Sequence, residues 1–136
     1  MAEHLSPSPD ASREAGILMH ITSLPGGHGI GDLGKESHSF VDWLIDAGMT
    51  VWQVLPLVPV GVGHSPYSTT SAFAGNPLLI NLEMLVEDGL LKSEDLSDWS
   101  DNSSDSRVDF NQVASFKMPL LKKAASCLVG RHGGAD

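Results

Sequence analysis

The 136 residues of this chain suffice for one domain with its own core, whereas a complete (β/α)8 barrel needs about 250. Seventeen acidic residues against eight basic ones give a net charge of −9 without a basic stripe, which argues against nucleic acid as a partner. No window approaches the roughly 20 apolar residues of a membrane span, and the single cysteine, Cys127, has no internal disulfide partner and is expected to be an inert thiol.

Residues 1–15, "MAEHLSPSPDASREA", are Ser, Pro and charge, and are expected to form a disordered tail. They lack the apolar centre of a signal peptide and the arginines of a transit peptide, so a cytoplasmic chain is expected. The run "GILMHI", residues 16–21, is short and apolar, which predicts a strand buried on both faces, as in a parallel sheet. His20 falls inside it, either as a hydrogen-bonded core ring or as a ring at the carboxyl end of a strand facing a ligand.

A glycine-rich loop follows, with Gly29, Gly31 and Gly34 in the spacing G-x-G-x-x-G. The dinucleotide reading of that spacing fails on context. A fingerprint turns directly from strand to helix, but "SLPGGH" intervenes, and the acid needed at the end of the second strand is missing. Asp46 stands at a suitable distance but lies in the predicted helix. A tight loop that only glycines permit is the better account.

"ESHSFVDWLIDAGM" predicts a helix with Phe40, Val41, Trp43, Leu44 and Ala47 on its apolar side and Gly48 as the left-handed residue after its end. "TVWQVLPLVPV" predicts a second strand, stopped by Pro56 and Pro59, with Trp52 in the core or lining a cleft. Strand, helix and strand together predict a right-handed parallel βαβ unit. Asn81 is placed to cap a short helix carrying Leu82, Leu85 and Val86, with Gly89 after its end. The acidic stretch "SEDLSDWSDNSSDSRVD" reads as a solvated loop. Ser115 is the expected cap of a last helix, which would put Pro119 near the first turn, where it costs least.

The most informative piece is "HSPYSTTSAFAGNP", residues 64–77, which contains no Asp, Glu, Lys or Arg but carries Tyr67, Phe73, Asn76 and many hydroxyls. Sugars present apolar C–H faces to aromatic rings and hydroxyls to small polar groups, so such a loop suits a neutral polyol ligand; a covering loop whose rings simply pack is the alternative. His28 and His64 have no partner at metal-ligand spacing, so no metal site is expected. Asp32 and Asp42 have no second carboxylate at a strand end; Glu83, Glu87 and Asp88 fall on the outer face of a helix, and no G-x-S-x-G is present.

Four blocks in order, "GILMHITSLPGGHGIGDLG", "VWQVLPL", "SPYSTTSAFAGNPLLI" and "VDFNQVASFKMPLLKKA", resemble the N-terminal part of the 4-α-glucanotransferases, the amylomaltases or disproportionating enzymes of glycoside hydrolase family 77. The resemblance covers about residues 16–129. It implies an α/β fold in which residues 16–136 supply the first two βα units of a (β/α)8 barrel, with an inserted helical segment from about residue 92. It implies retaining transfer of α-1,4-glucan segments between maltooligosaccharides or to glucose, with no metal or organic cofactor. Tyr67 matches the tyrosine that stacks under the glucose at the cleavage site, and Ser65 matches a residue of the same substrate loop. The nucleophile, the acid/base and a third carboxylate sit on later strands in this family, so no catalytic residue is expected within these residues. An α-glucan hydrolase of the related barrel clan and a non-catalytic glucan-binding module remain alternatives.

Overall fold

A computed structural model describes residues 13–100 and 107–132. Of the expected tail, residues 1–12 lie outside the described residues; Ala15 carries a carbonyl that accepts hydrogen bonds from the Thr50 and Val51 N–H groups.

Two short strands, β1 (Gly16–Leu18) and β2 (Val51–Gln53), pair in parallel with Ile17 opposite Trp52. Between them runs helix α1 (Lys35–Asp46), so the expected parallel βαβ order is present. Burial on both faces is not. In each strand only the middle residue is partly covered, and Leu18 and Val51 are exposed, because no third strand flanks the pair among the described residues.

His20 is not in the strand. The ladder ends with the Met19 N–H donating to the Gln53 carbonyl at 3.0 Å. His20 then caps a single 3-10 turn, Ile21–Ser23, by accepting from the Thr22 N–H at Nδ1 (3.3 Å), with Thr22 Oγ1 2.8 Å from the same nitrogen. A ring nitrogen that can bond the backbone two residues on competes with the ladder and ends it.

α1 closes as its sequence predicts. Gly48 has φ +71°, its N–H donates to the Ile45 carbonyl, and the Met49 N–H donates to the Leu44 carbonyl, the pair of bonds that defines a Schellman end. Its apolar side is less covered than expected. Leu44 is buried, but Trp43 and Ile45 stand more than half exposed, and Trp43 stacks on Phe40 at 5.6 Å. Trp52 packs edge-on to Phe40 (4.9 Å) and donates from Nε1 to the Met19 carbonyl (2.8 Å).

Asn81 caps α2 (Leu82–Glu87) as expected, Oδ1 accepting from the Met84 N–H at 2.9 Å, and Gly89 takes φ +66° after its end. The last helix, α3 (Phe110–His132), starts earlier than expected. Asp109, not Ser115, meets the free N–H groups: its Oδ1 accepts from Asn111 and Gln112, each at 3.0 Å. Pro119 therefore lies inside the helix, where it cannot donate to the Ser115 carbonyl.

The core is three clusters joined by the segment "PLLINL". Leu79 packs with Ile21 and Leu24, beside Trp52 and Phe40. Leu78 packs with Ile30 and Val113. Leu82 packs with Leu91 and Ala124 on the α2–α3 side. The 3-10 turn Pro77–Leu79 allows this division, because successive side chains leave it in different directions. The acidic stretch is not solvated throughout: its Trp99 contacts Phe116 (5.1 Å) and closes over Gly29.

Candidate functional site

After β2 the chain runs through a loop whose bonds are mostly its own. Gly63 (φ +73°) and His64 (φ +58°) are consecutive left-handed residues, and His64 is the one non-glycine residue with positive φ among the described residues. This reversal lets the Gly61 N–H donate to the Ser65 carbonyl (3.2 Å) and the His64 N–H to the Gly61 carbonyl (3.0 Å). Ser65 then caps a second turn, Pro66–Ser68, its Oγ accepting from the Tyr67 N–H at 3.3 Å. Pro66 occupies the first position of that turn, where a missing N–H costs nothing. The result presents the Tyr67 ring outward, 72% exposed, with no charged side chain between residues 65 and 77.

Two anchors hold this loop. At its far end the Asn76 N–H donates to the Leu57 carbonyl (3.0 Å), while Asn76 Oδ1 accepts from the Leu78 N–H (3.0 Å). At its near end the His64 ring stacks on Phe110, the first residue of α3, at 5.1 Å and 15°.

The loop after β1 is built differently. Asp32 is 6% exposed and Lys117 is fully buried, with Nζ 3.0 Å from Asp32 Oδ2 and 2.8 Å from the Leu78 carbonyl to which it also donates. Asp32 Oδ1 accepts from the Gly34 N–H (3.1 Å) and from Asn81 Nδ2 (2.9 Å). Burial pushes the Lys117 ammonium pKa down, and the Asp32 carboxylate opposes that shift. Charge-assisted bonds on every side make the pair tolerable. The glycines serve this packing: a Cβ on Gly34 would strike the Asn81 amide, and one on Gly31 the carbonyls of Ile21 and Leu24.

The Asp32–Lys117 lock was missed in the sequence, where Asp32 stands as an isolated carboxylate. Its signal was Lys117 itself, which interrupts the apolar stripe Val113, Leu120, Leu121 and Ala124. His28, also buried, stacks on Phe116 (5.4 Å) with Nδ1 3.4 Å from the Glu83 carboxylate; burial lowers its pKa, against the pull of Glu83.

A cleft of about 580 Å³ lies between α1 and α2, lined by Lys35, Glu36, Asp42, Glu83 and Glu87 among others. It contains neither Ser65 nor Tyr67, and its lining is the polar outer face of two helices. Among the described residues no three His, Cys, Asp or Glu side chains come together as metal ligands, and no helix is long and apolar enough to cross a membrane.

A family profile of 4-alpha-glucanotransferases matches residues 19–133. The chain is 48% identical over 127 residues to a chloroplastic/amyloplastic 4-alpha-glucanotransferase of Arabidopsis thaliana, covering 93% of this chain and 22% of that protein. It is 53% identical over 125 residues to the chloroplastic/amyloplastic enzyme of Oryza sativa subsp. japonica, covering 89% and 20%. Among solved structures, the amylomaltase from Streptococcus agalactiae in complex with acarbose superposes with a TM-score of 0.83 at 39% identity, over 88% of this chain and 24% of that one. The chain thus spans about a fifth of the length of the curated relatives it matches.

The plant relatives overturn the expectation of a cytoplasmic chain: those from Arabidopsis thaliana and Oryza sativa subsp. japonica are chloroplastic/amyloplastic. That expectation rested on the composition of residues 1–15, whereas the family match begins at residue 19. Four sequence blocks, the parallel βαβ start and a profile match over most of its length agree: the chain belongs to the 4-alpha-glucanotransferase family.

Proposed function

We propose that this chain forms the start of an enzyme that transfers α-1,4-glucan segments between maltooligosaccharides or to glucose, and that Tyr67 and Ser65 are its contribution to the glucan site. On this reading residues 16–136 supply the first two βα units of a (β/α)8 barrel and, from about residue 92, the beginning of an inserted helical segment. The carboxylates that break and remake the glycosidic bond come from outside these residues.

The observation that carries the reading is the neutral turn Ser65–Ser68, which holds the Tyr67 ring in solvent downstream of a strand's carboxyl end, where barrel enzymes place their sites. An aromatic face laid against a glucose ring attracts the positive charge that builds there as the bond breaks. It therefore helps the transition state more than the bound substrate. With the cation–π range as a guide, the ring is worth about 1–2 kcal/mol, or roughly five- to thirtyfold in rate.

The test uses the full-length enzyme carrying this chain. Given maltotriose, it should release glucose and form longer maltodextrins. Tyr67→Ala should lower kcat/KM for that conversion by roughly fivefold or more, Tyr67→Phe should retain most of it, and neither should move the melting temperature of so exposed a residue. Full activity in a folded Tyr67→Ala enzyme would remove Tyr67 from the site, and release of reducing ends by water alone would replace transfer with hydrolysis.

A further inference from the structure

The stack between His64 and Phe110 joins two parts of the chain that have no obvious reason to meet. One residue lies in the loop after β2; the other opens α3, 46 positions later by residue number. His64 also holds a backbone conformation that side-chain-bearing residues take rarely, with φ +58° directly after the left-handed Gly63. A surface histidine with no other role would be easier to accommodate in an extended conformation. Here the left-handed backbone turns the chain so that Ser65 closes on Gly61, and the ring is seated flat on Phe110, itself only partly exposed. Ser65 follows immediately, and its Oγ fixes the start of the turn bearing Tyr67.

We propose that His64 is a positioning residue: its ring, clamped on Phe110, fixes the orientation of the Ser65–Tyr67 turn against α3, and so sets the direction in which Tyr67 presents its face to glucan. The proposal rests on the glucan reading of Tyr67. α3 is a suitable post for the clamp, because Lys117 ties it to Asp32 and to the Leu78 carbonyl, and Val113 packs with Leu78 and Ile30. The backbone of the loop supplies the turn, while the stack supplies its fixed orientation relative to the rest of the molecule. Neither ring needs to touch substrate.

The experiment compares variants of the full-length enzyme in maltotriose disproportionation, with kcat, KM and melting temperature measured for each. His64→Gly removes the ring and keeps a residue at ease with positive φ, so the loop backbone is preserved. It should lower kcat/KM roughly two- to tenfold, the range set by an aromatic pair, with kcat carrying most of the loss and the melting temperature falling only slightly, since the same stack contributes to folding. Phe110→Ala should lower the rate likewise from the other side of the stack, and also lower the melting temperature, because Phe110 packs against the Ile30, Leu78 and Val113 cluster as well; His64→Tyr, which restores a ring, should recover the rate. In a Tyr67→Ala background His64→Gly should have no further effect, because its action passes through Tyr67. A Tyr67→Ala enzyme that is impaired, beside a His64→Gly enzyme at wild-type rate, overturns the clamp and leaves the glucan reading standing. Multiplicative losses in the double variant overturn it as well. A fully active Tyr67→Ala enzyme removes the glucan reading itself. If Phe110→Ala fails to fold, His64→Gly and its rescue decide alone.

Discussion

Two loops follow the two parallel strands at their carboxyl ends, and they are made in opposite ways. The one after β1 is glycine-rich and buried, with a carboxylate and an ammonium sealed inside it and glycines where a Cβ would strike backbone or the Asn81 amide. The one after β2 is neutral and exposed, closed by hydrogen bonds among its own residues and held to the rest chiefly at Asn76 and His64. The first joins α3 to the cap of α2 through Asp32, and Lys117 adds the Pro77–Leu79 turn; the second carries Tyr67 out to solvent. The contrast teaches that polar residues are costly to disturb when they are sealed against one another, and are free to meet a ligand when the loop satisfies its own backbone. Changes in the first loop should therefore register as lost stability, and changes in the second as lost activity.

The strongest way to break that contrast is Lys117→Met. It keeps the length of the side chain but strips Asp32 of its cation and leaves the Leu78 carbonyl without that donor. Removing one partner of a buried pair costs about 3–5 kcal/mol, since the remaining charge cannot reach water. Urea unfolding should show that loss as a lower midpoint, and Asp32→Asn added to Lys117→Met should restore part of it by removing the stranded charge. A loss below about 1 kcal/mol would mean that water already reaches the pair, and the distinction between the two loops would fall.

How much of this was legible in the sequence follows the range of the interaction. Asn81 as a cap, and Gly48 and Gly89 as the left-handed residues ending α1 and α2, were readable because each is settled within five residues. The family resemblance was readable because whole blocks carry it. The start of α3 was misread: Ser115 has the right chemistry for a cap, but Asp109 has it too and comes first, and packing of the extended helix outweighs the interior Pro119. The Asp32–Lys117 pair spans 85 positions: Lys117 stands out in its apolar stripe, but nothing local says that Asp32 is its partner. Trp43 falls on the apolar side of its helix by spacing, but helical spacing says which residues share a side and not whether anything covers it.

A smaller effect is expected from His28, another polar side chain sealed within the first loop. Burial holds its pKa below the ordinary 6.5; Lys117 adds to that shift, while Glu83 and Asp32 oppose it. Below pH 6.5 the unfolded chain therefore binds a proton that the folded chain does not, so stability falls as the pH drops through and below that value. The slope from this one group is at most about 1.4 kcal/mol per pH unit, and it ends where the folded ring itself becomes protonated. His28→Phe keeps a ring against Phe116 and Trp99 and removes the titration. Urea midpoints between pH 5 and 7 should fall less steeply toward acid in the variant. An unchanged slope would assign the acid sensitivity to other groups.

The smallest effect sharpens the contrast from the side of the second loop. Phe73 is fully exposed, and the turn that carries it is closed without its ring: Ser71 Oγ accepts from the N–H groups of Phe73 (3.4 Å) and Ala74 (3.2 Å), and the Thr69 hydroxyl donates to the Ser71 carbonyl (3.0 Å). An exposed ring with no neighbour has no burial to lose, so Phe73→Ala should change stability by less than about 0.5 kcal/mol. Ser71→Ala, which leaves the ring in place and removes the hydroxyl that two N–H groups share, should cost more than Phe73→Ala in the same urea titration. That order is the reverse of what hydrophobicity alone would give, since Phe carries far more apolar surface than Ser. If Phe73→Ala instead proves the more damaging, its ring is covered in solution, and the loop after β2 is packed as the loop after β1 is.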